Sequence, residues 1–571
     1  MKISVSVGIA KGLSGNSSYI VIPFLESSYK KYGKSVFKMI NHGYVMLNDK
    51  YKDACSAIDA KLQDNMINIA TLTVALDSVA TDGSRDKIFS KRTKKVSSAR
   101  DRLHSKRNLN ILGSSLIQIY LVRIDSGDII IKKEDRKEKY NKNAMLEELR
   151  VGGHLIFTIL KGNFIRNVNI FPILEDGDVA CKPYILALLE GLMLSAYKFD
   201  KYKTDKALER VDGPKHEYHL EGINLIINKI CKFLADDIAR LETIVASVFL
   251  ARDLVNEPAN ERRVARFMNR VGEFIKKMGV LVELEVWDKA QLEKMGMGLH
   301  LGVGKGSSPE NAPCMLVIKY SGTSKDNISP EWVLLGKGIT FDTGGINLKS
   351  SKYMLDMKSD LSGAAAVVSF LLGYAASGGE RCIYAMCPFA ENSIGSSAVK
   401  PSDILKAYDG RTVEVVNTDA EGRLILADAL AYVVRKWPTA RVMDLATLTG
   451  QAEDVSGKAF SCVLSVNAEK ETRELITKSE KINEMLVRLP LLEKESSKLE
   501  SDVADIKNIT YKSSADIIMS GLFMKEFIKP DTKWIHVDIA GPAFEASEVV
   551  IYASPEASGV GVRLLFEYFA R

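Results

Sequence analysis

Histidine and cysteine are both scarce in this sequence. Seven histidines are spread over 571 residues, and none belongs to a His-Glu-x-x-His pair, which excludes the commonest helix-borne zinc peptidase site. The seven cysteines (Cys55, Cys181, Cys231, Cys314, Cys382, Cys387, Cys462) nowhere form a Cys-x-x-Cys pair, so the pattern argues against a disulfide framework and a cysteine zinc site. A reducing compartment follows. No run approaches the ~18–20 consecutive apolar residues of a membrane span. The opening MKISVSVGIAKGLSG reads as a first β-strand rather than a signal peptide, and a cytoplasmic location is expected. GVGKGS at 302–307 misses the phosphate-loop spacing and reads as a turn. The net charge of +6 comes from 78 basic and 72 acidic side chains, too dilute to argue for a polyanion partner.

What is present is the composition of a globular protein, with 46% apolar and 26% charged residues in a chain long enough for more than one core. Residues 1–215 mix strand-like runs (SYIVIPFL, SLIQIYLVRI, GHLIFTIL, VNIFPIL) with a helical segment near 184–197, an α/β pattern without chemistry. Two basic stretches interrupt it, 84–107 with ten Lys or Arg residues and 132–142. Interleaved acids and few aromatics make both read as solvated insertions rather than a nucleic-acid patch. Apolar residues three to five apart between His219 and Leu254 predict one or two helices, so 216–257 is expected to be a helical linker, with Pro258 just beyond. From 258 to 571, strand-like runs (CMLVIKY, WVLLG, CIYAMCPFA, RVMDLATLT, WIHVDIAG) alternate with helical ones. That alternation predicts a larger catalytic domain with a mostly parallel central sheet flanked by helices, its crevice beyond the strands' carboxyl ends.

Chemistry concentrates in two places. The apolar run WVLLG opens into GKGITFDTGGINLKSSKYMLDMKSDLSGAAA, which puts Lys337, Asp342, Lys349 and Asp360 in a glycine-rich excursion at a strand end. VEVVNTDAEGRLILADALAYVV repeats the strand, charge, helix order and carries Asp419, Glu421 and Arg423. Carboxylates from two loops, without histidine, suit hard oxygen coordination of divalent ions.

These segments closely resemble the leucyl aminopeptidase family, the M17 peptidases. The family's signature octapeptide, Asn-Thr-Asp-Ala-Glu-Gly-Arg-Leu, stands unbroken at 417–424, and the spacing of Lys337, Asp342, Lys349 and Asp360 is the family's too. The likeness runs from 251 to 571 through ARDLVNEPAN, ENSIGSSAVKPSDILKAYDG, DLATLTG and WIHVDIAGPA. It implies a two-metal aminopeptidase that removes leucine and other apolar N-terminal residues from short peptides through a metal-bridging water. Asp342 and Glu421 are implied to ligate both metals, Lys337 and Asp360 the tighter one and Asp419 the more exchangeable one. Zinc or manganese are the expected ions, with magnesium or cobalt as alternatives. Lys349 is implied to stabilise the oxyanion, and Arg423 to hold a bicarbonate that carries the proton. Met357, Thr447, Gly450, Ala540 and Ala543 are implied to line an apolar pocket. The same resemblance implies a homohexamer built as a dimer of trimers; a membrane and nucleic acid are not expected as partners, on the lack of long apolar runs and the dilute charge. The rival readings are a nucleic-acid-binding protein on an aminopeptidase scaffold and a two-metal phosphohydrolase. Intact chemistry at all seven site positions argues against the first, and DLATLTG with the apolar pocket argues against the second.

Overall fold

The computed structural model describes the backbone of 4–9, 19–25, 69–76 and 115–124. It then describes 142–570, apart from 171–181, 205–206, 208–217, 228–233, 262–263, 324–328 and 513–514. The basic stretches 84–107 and 132–142 lie outside the described residues, save for Lys142.

A first, six-stranded sheet takes β1 (Ser4–Ile9), β2 (Tyr19–Leu25), β3 (Ile69–Leu76), β4 (Ser115–Ile124), β5 (Asn167–Ile170) and β6 (Gly222–Ile227) in the order β1-β6-β5-β2-β4-β3. Every neighbouring pair is parallel except β3 with β4. Two helices follow within this part of the chain, α1 (Lys142–Gly162) and α2 (Lys182–Ser195). Gly153 and Gly191 let them touch backbone to backbone, because a Cβ at either would lie 2.2 Å or less from the facing carbonyl oxygen.

Two expectations need correction. The run 153–160, predicted as a strand, lies inside α1, where Leu146, Leu149, Ile156 and Leu160 fall on one buried helical face. Apolar runs this short do not separate strand from buried helix. The expected helical linker 216–257 is divided. Residues 222–227 form β6 between β1 and β5, with Ile223 and Leu225 buried on either side of the half-exposed Asn224. Helix α3 (Leu234–Asn256) then ends just before Pro258, and its buried Ile238, Leu241, Val245 and Val248 join the main core.

The second sheet has nine strands. They are β7 (Glu283–Trp287), β8 (Cys314–Tyr320), β9 (Trp332–Gly336), β10 (Gly338–Asp342), β11 (Ile383–Asn392), β14 (Arg441–Ala446), β15 (Phe460–Val466), β16 (Met485–Arg488) and β18 (Trp534–Asp538). A small separate sheet holds β12 (Ile404–Lys406), β13 (Thr412–Glu414) and β17 (Ile506–Lys507). The central run β18-β14-β9-β11 is parallel throughout, as predicted, and antiparallel pairs occur only towards the edges. Helices α4 (Ser362–Ala376), α5 (Gly422–Lys436), α6 (Glu469–Ile482), α7 (Asp516–Lys525) and α8 (Val562–Tyr568) cover the sheet. Leu334, Leu445 and Val537 point into one apolar cluster, while Leu335, Val442 and Trp534 point into another. With both faces buried, these strands read as continuous apolar runs rather than alternating ones. Residues 357–376 reach the length and mean hydropathy of a membrane span although Lys358 and Asp360 interrupt the apolar run, and 89% of their most apolar window is buried inside the protein, where α4 packs as a core helix.

A buried ion-pair network ties α1 and α2 to α8. Glu190 takes Arg150 Nε at 2.5 Å and Arg563 Nε at 2.8 Å, and Arg563 also reaches the Ile482 carbonyl and Glu484. Burial alone would raise the Glu190 carboxyl, but Arg563 and Arg150 outweigh it and hold it at about 2. Removing one partner strands the rest, so Glu190→Gln should cost ~3–5 kcal/mol near neutral pH. A depressed carboxyl stabilises the fold fully above its ordinary 4.5, and that contribution is lost as pH falls towards 2. Melting curves of parent and variant should therefore differ most at pH 7, begin to approach each other below pH 4.5 and converge only as pH falls through about 2.

Candidate active site

The carboxyl ends of the central strands meet on one edge of the second sheet, and Lys337 and Asp342 come from there, while Asp419 and Glu421 arrive on the loop that follows β13 of the small sheet. Lys337 follows β9 directly, and Asp342 closes β10. Asp360 sits in the short 3₁₀ turn Met357–Leu361 before α4, and Asp419 and Glu421 sit in the loop that enters α5. Lys337 Nζ lies 2.8 Å from Asp360 Oδ1, 2.9 Å from Glu421 Oε1 and 2.7 Å from the Thr447 carbonyl oxygen. Lys349 Nζ lies 2.9 Å from Asp342 Oδ2 and 2.5 Å from Asp419 Oδ1. Asp342, Asp419 and Glu421 each bring one oxygen to within 4.8 Å of the others.

The burial of this charge is severe. Lys337, Asp342, Asp360 and Glu421 are all 4% exposed or less. Burial first, then the charges of Asp342 and Glu421, lift the Asp419 carboxyl to about 7. Burial likewise raises Asp360 and Asp342, whereas Lys337 and Lys349 overcome it at Glu421 and pull that carboxyl down. Both lysines are held charged against their own burial, Lys337 chiefly by Asp360 and Lys349 chiefly by Asp342. Asp360 Oδ2 and Glu421 Oε2 are buried and have no hydrogen-bond partner among the described residues. Unpartnered, buried, hard oxygens beside an excess of carboxylates over cations fit divalent metal ions.

Backbone and amide groups hold the carboxylates in place. Asp342 Oδ1 accepts from Gly344 N at 2.9 Å and from Asn392 Nδ2 at 2.7 Å. Asn392 Nδ2 also donates to the Thr418 carbonyl at 3.0 Å, so the two carboxylate-bearing loops share one amide. Asn508 donates to the Asn417 carbonyl and accepts from Val416 N, which fixes the other side of the 416–421 loop. Asn392 lies at a strand's carboxyl end and was accessible to the reasoning that found Asp342. Asn508 has no such signal.

Arg423 and the expected pocket residues are dispersed around this cluster. Arg423 is 2% exposed, donates through Nη1 to the Asn508 carbonyl at 3.1 Å and through Nη2 to Asp516 Oδ1 at 2.9 Å, and its Nε has no partner among the described residues. Thr447 joins the cluster directly, since its Oγ1 donates to Asp360 Oδ1 at 2.8 Å. Met357 is half-buried at the start of the Asp360 turn, Gly450 is exposed and Ala540 half-buried. Ala543 is 2% exposed within the main core.

Comparison with known proteins bears on the family and the fold. The model of the cytosol aminopeptidase family, catalytic domain, matches residues 249–566. A probable cytosol aminopeptidase of Clostridium perfringens is 38% identical over 383 residues, 67% of this chain and 74% of that one. Its counterpart in Wolbachia pipientis is 35% identical over 440 residues, 77% of this chain and 82% of the relative. Among solved structures, a mutant tomato leucine aminopeptidase superposes with a TM-score of 0.75 at 22% identity, covering 99% of this chain and 96% of its own. The bottromycin maturation enzyme BotP in complex with Mn superposes with a TM-score of 0.70 at 22% identity, covering 97% and 99%. At that identity the likeness speaks for the fold.

Gly422 packs directly against the Lys337 side chain. A Cβ there would lie 2.6 Å from Lys337 Cε and 2.7 Å from Nζ, although the helical backbone would accept alanine. Gly422→Ala should weaken metal retention ~10- to 100-fold, the range for a lost support behind a ligand. Metal content after graded dialysis checks this.

Proposed function

The chain belongs to the cytosol aminopeptidase family, and on that premise we propose that the lysine and carboxylate cluster holds two divalent metal ions and removes apolar residues from the free amino end of short peptides. The observation that carries this reading is the pair of buried, unpartnered oxygens, Asp360 Oδ2 and Glu421 Oε2, beside the close trio Asp342, Asp419 and Glu421. Asp342 and Glu421 would serve both ions, Lys337 and Asp360 the tighter, and Asp419 the more exchangeable. Zinc and manganese suit these donors, with magnesium and cobalt as alternatives. When bound, such ions supply Lewis acidity and a water acidic enough to attack at neutral pH.

The remaining roles fall to side chains. Lys337 must give up its proton to become a ligand, which exchanges one cation for another at Asp360 and Glu421. Lys349 keeps its proton beside Asp342 and Asp419 and is assigned to the developing oxyanion, a contribution of ~3–4 kcal/mol when such a donor is lost. Arg423 is assigned to a bicarbonate ion that receives the proton from water. Its free Nε supports this, while Asp516 and Asn508 already occupy part of the guanidinium. Met357, Thr447, Gly450, Ala540 and Ala543 are assigned to the substrate side, Ala543 from behind the surface. An apolar side chain gains burial among them, and a charged one finds no partner. A cytoplasmic homohexamer, a dimer of trimers, is the assembly proposed by kinship. Light scattering should give about six times the 63.1 kDa chain mass, and a monomer at working concentration contradicts it.

Release of amino acids from unblocked and N-acetylated dipeptides, with the enzyme stripped and then reloaded with Mn²⁺, Zn²⁺ or Co²⁺, tests the main reading. Cleavage should require both a free amine and a metal; hydrolysis of blocked peptides, or full activity after stripping, sinks it. In the same assay Arg423→Ala should lower kcat by ~10²–10⁴ with little change in KM. A raised KM with kcat intact would make Arg423 a substrate-binding group instead.

A further inference from the structure

Asp538 closes β18 at 0% exposure and belongs to neither the ligand set nor the pocket residues assigned above. A carboxylate buried so completely needs a purpose, and its contacts supply one. Its Oδ1 accepts from Leu448 N and Ala540 N, both at 3.1 Å, and its Oδ2 from Thr449 N at 3.1 Å and Thr449 Oγ1 at 2.8 Å. Three of these donors are main-chain amides of the two turns that leave β14 and β18. The turn it gathers after β14 also carries Thr447, whose carbonyl accepts from Lys337 and whose hydroxyl donates to Asp360, and Gly450, which faces open space. One carboxylate thus sets Thr447, Gly450 and Ala540 relative to the cluster.

The strand behind it is fixed as firmly. His536 Nδ1 lies 2.6 Å from Asp444 Oδ1, and Trp534 Nε1 donates to Asp444 Oδ2 at 2.7 Å. Asp444 stands opposite His536, and Ala446 opposite Asp538, in the parallel register of β14 and β18. The two turns therefore depart from a locked pair of strands. We propose that Asp538 is a positioning residue that determines specificity, shaping the wall against which the substrate's first side chain packs without touching substrate. The proposal rests on the aminopeptidase reading. Both oxygens accept here, Oδ1 from two main-chain amides and Oδ2 from an amide and a hydroxyl, a pattern that a carboxyl group fits and an amide does not. An asparagine of the same shape would turn its amide N–H groups towards backbone N–H donors on one side and displace that turn.

The test uses the full-length, metal-loaded enzyme with dipeptides beginning in leucine, methionine, alanine or glycine. The parent's activity on these tests the underlying reading, and variant-to-parent ratios test Asp538. Asp538→Asn should raise KM for the leucine peptide and lower its kcat/KM relative to the glycine peptide by ~10-fold, within the range a misshapen apolar pocket costs. Thr449→Val, which deletes one of the four donors, should move the same ratio by a smaller factor, and Thr449→Ser should restore it. A mere loss of folded enzyme would scale kcat and metal content together for every substrate, with KM and the ratio unchanged. That outcome in Asp538→Asn overturns the proposal. If Asp538→Asn fails to fold, an unchanged KM and ratio in Thr449→Val overturns it equally.

Discussion

Four carboxylates crowd one buried place, and the rest of the structure is arranged around keeping them there. Among the described residues, Asp342, Asp360, Asp419 and Glu421 pair with Lys337 and Lys349 as opposing charges. Each buried carboxylate loses hydration and repels its neighbours, so the cluster survives only if cations and N–H donors compensate. The two lysines, the shared amide of Asn392 and the Gly344 N–H do part of this. The oxygens they leave over are those best placed for a metal ion.

That constraint explains why the site lies where it does. Parallel strands end together, so β9, β10, β14 and β18 can each deliver a turn to the same edge without crossing the sheet. The apolar faces on both sides make the sheet rigid, and the ligands inherit that rigidity. Close helix packing matters as well: Gly363 sits so near the Leu445 carbonyl that a Cβ would lie 2.0 Å from it, which brings the start of α4, and Asp360 just before it, against β14. The Glu190 network performs a different task, joining α1 and α2 to the last helix, away from the chemistry.

Much of this was legible in the sequence because the informative signals were local. An apolar run that breaks into glycine and charge marks a strand end, which brought Lys337, Asp342, Asp419 and Glu421 into view, and the octapeptide at 417–424 tied them to a family. What escaped depended on distant partners. The strand β6 is defined by pairing with β1 and β5, more than 200 and 50 residues away respectively, and its own sequence also suits a helix. The segment 153–160 has strand-like composition but is committed to helix by the face it shares with Leu146 and Leu149. Asn508 and Asp516 lie 85 and 93 residues beyond Arg423, and only the fold shows that they engage its guanidinium. Asp538 lay within a quoted motif, yet its four donors come from two turns that meet only in three dimensions.

The most direct test of the central claim is anomalous diffraction from crystals of the full-length protein grown with Mn²⁺. Two peaks per chain are expected, both within ligand distance of Asp342 and Glu421, with Lys337 Nζ bound to one of them in place of its bonds to Asp360 and Glu421. No anomalous density among these carboxylates, with Lys337 still hydrogen-bonded to both acids at saturating metal, would contradict it.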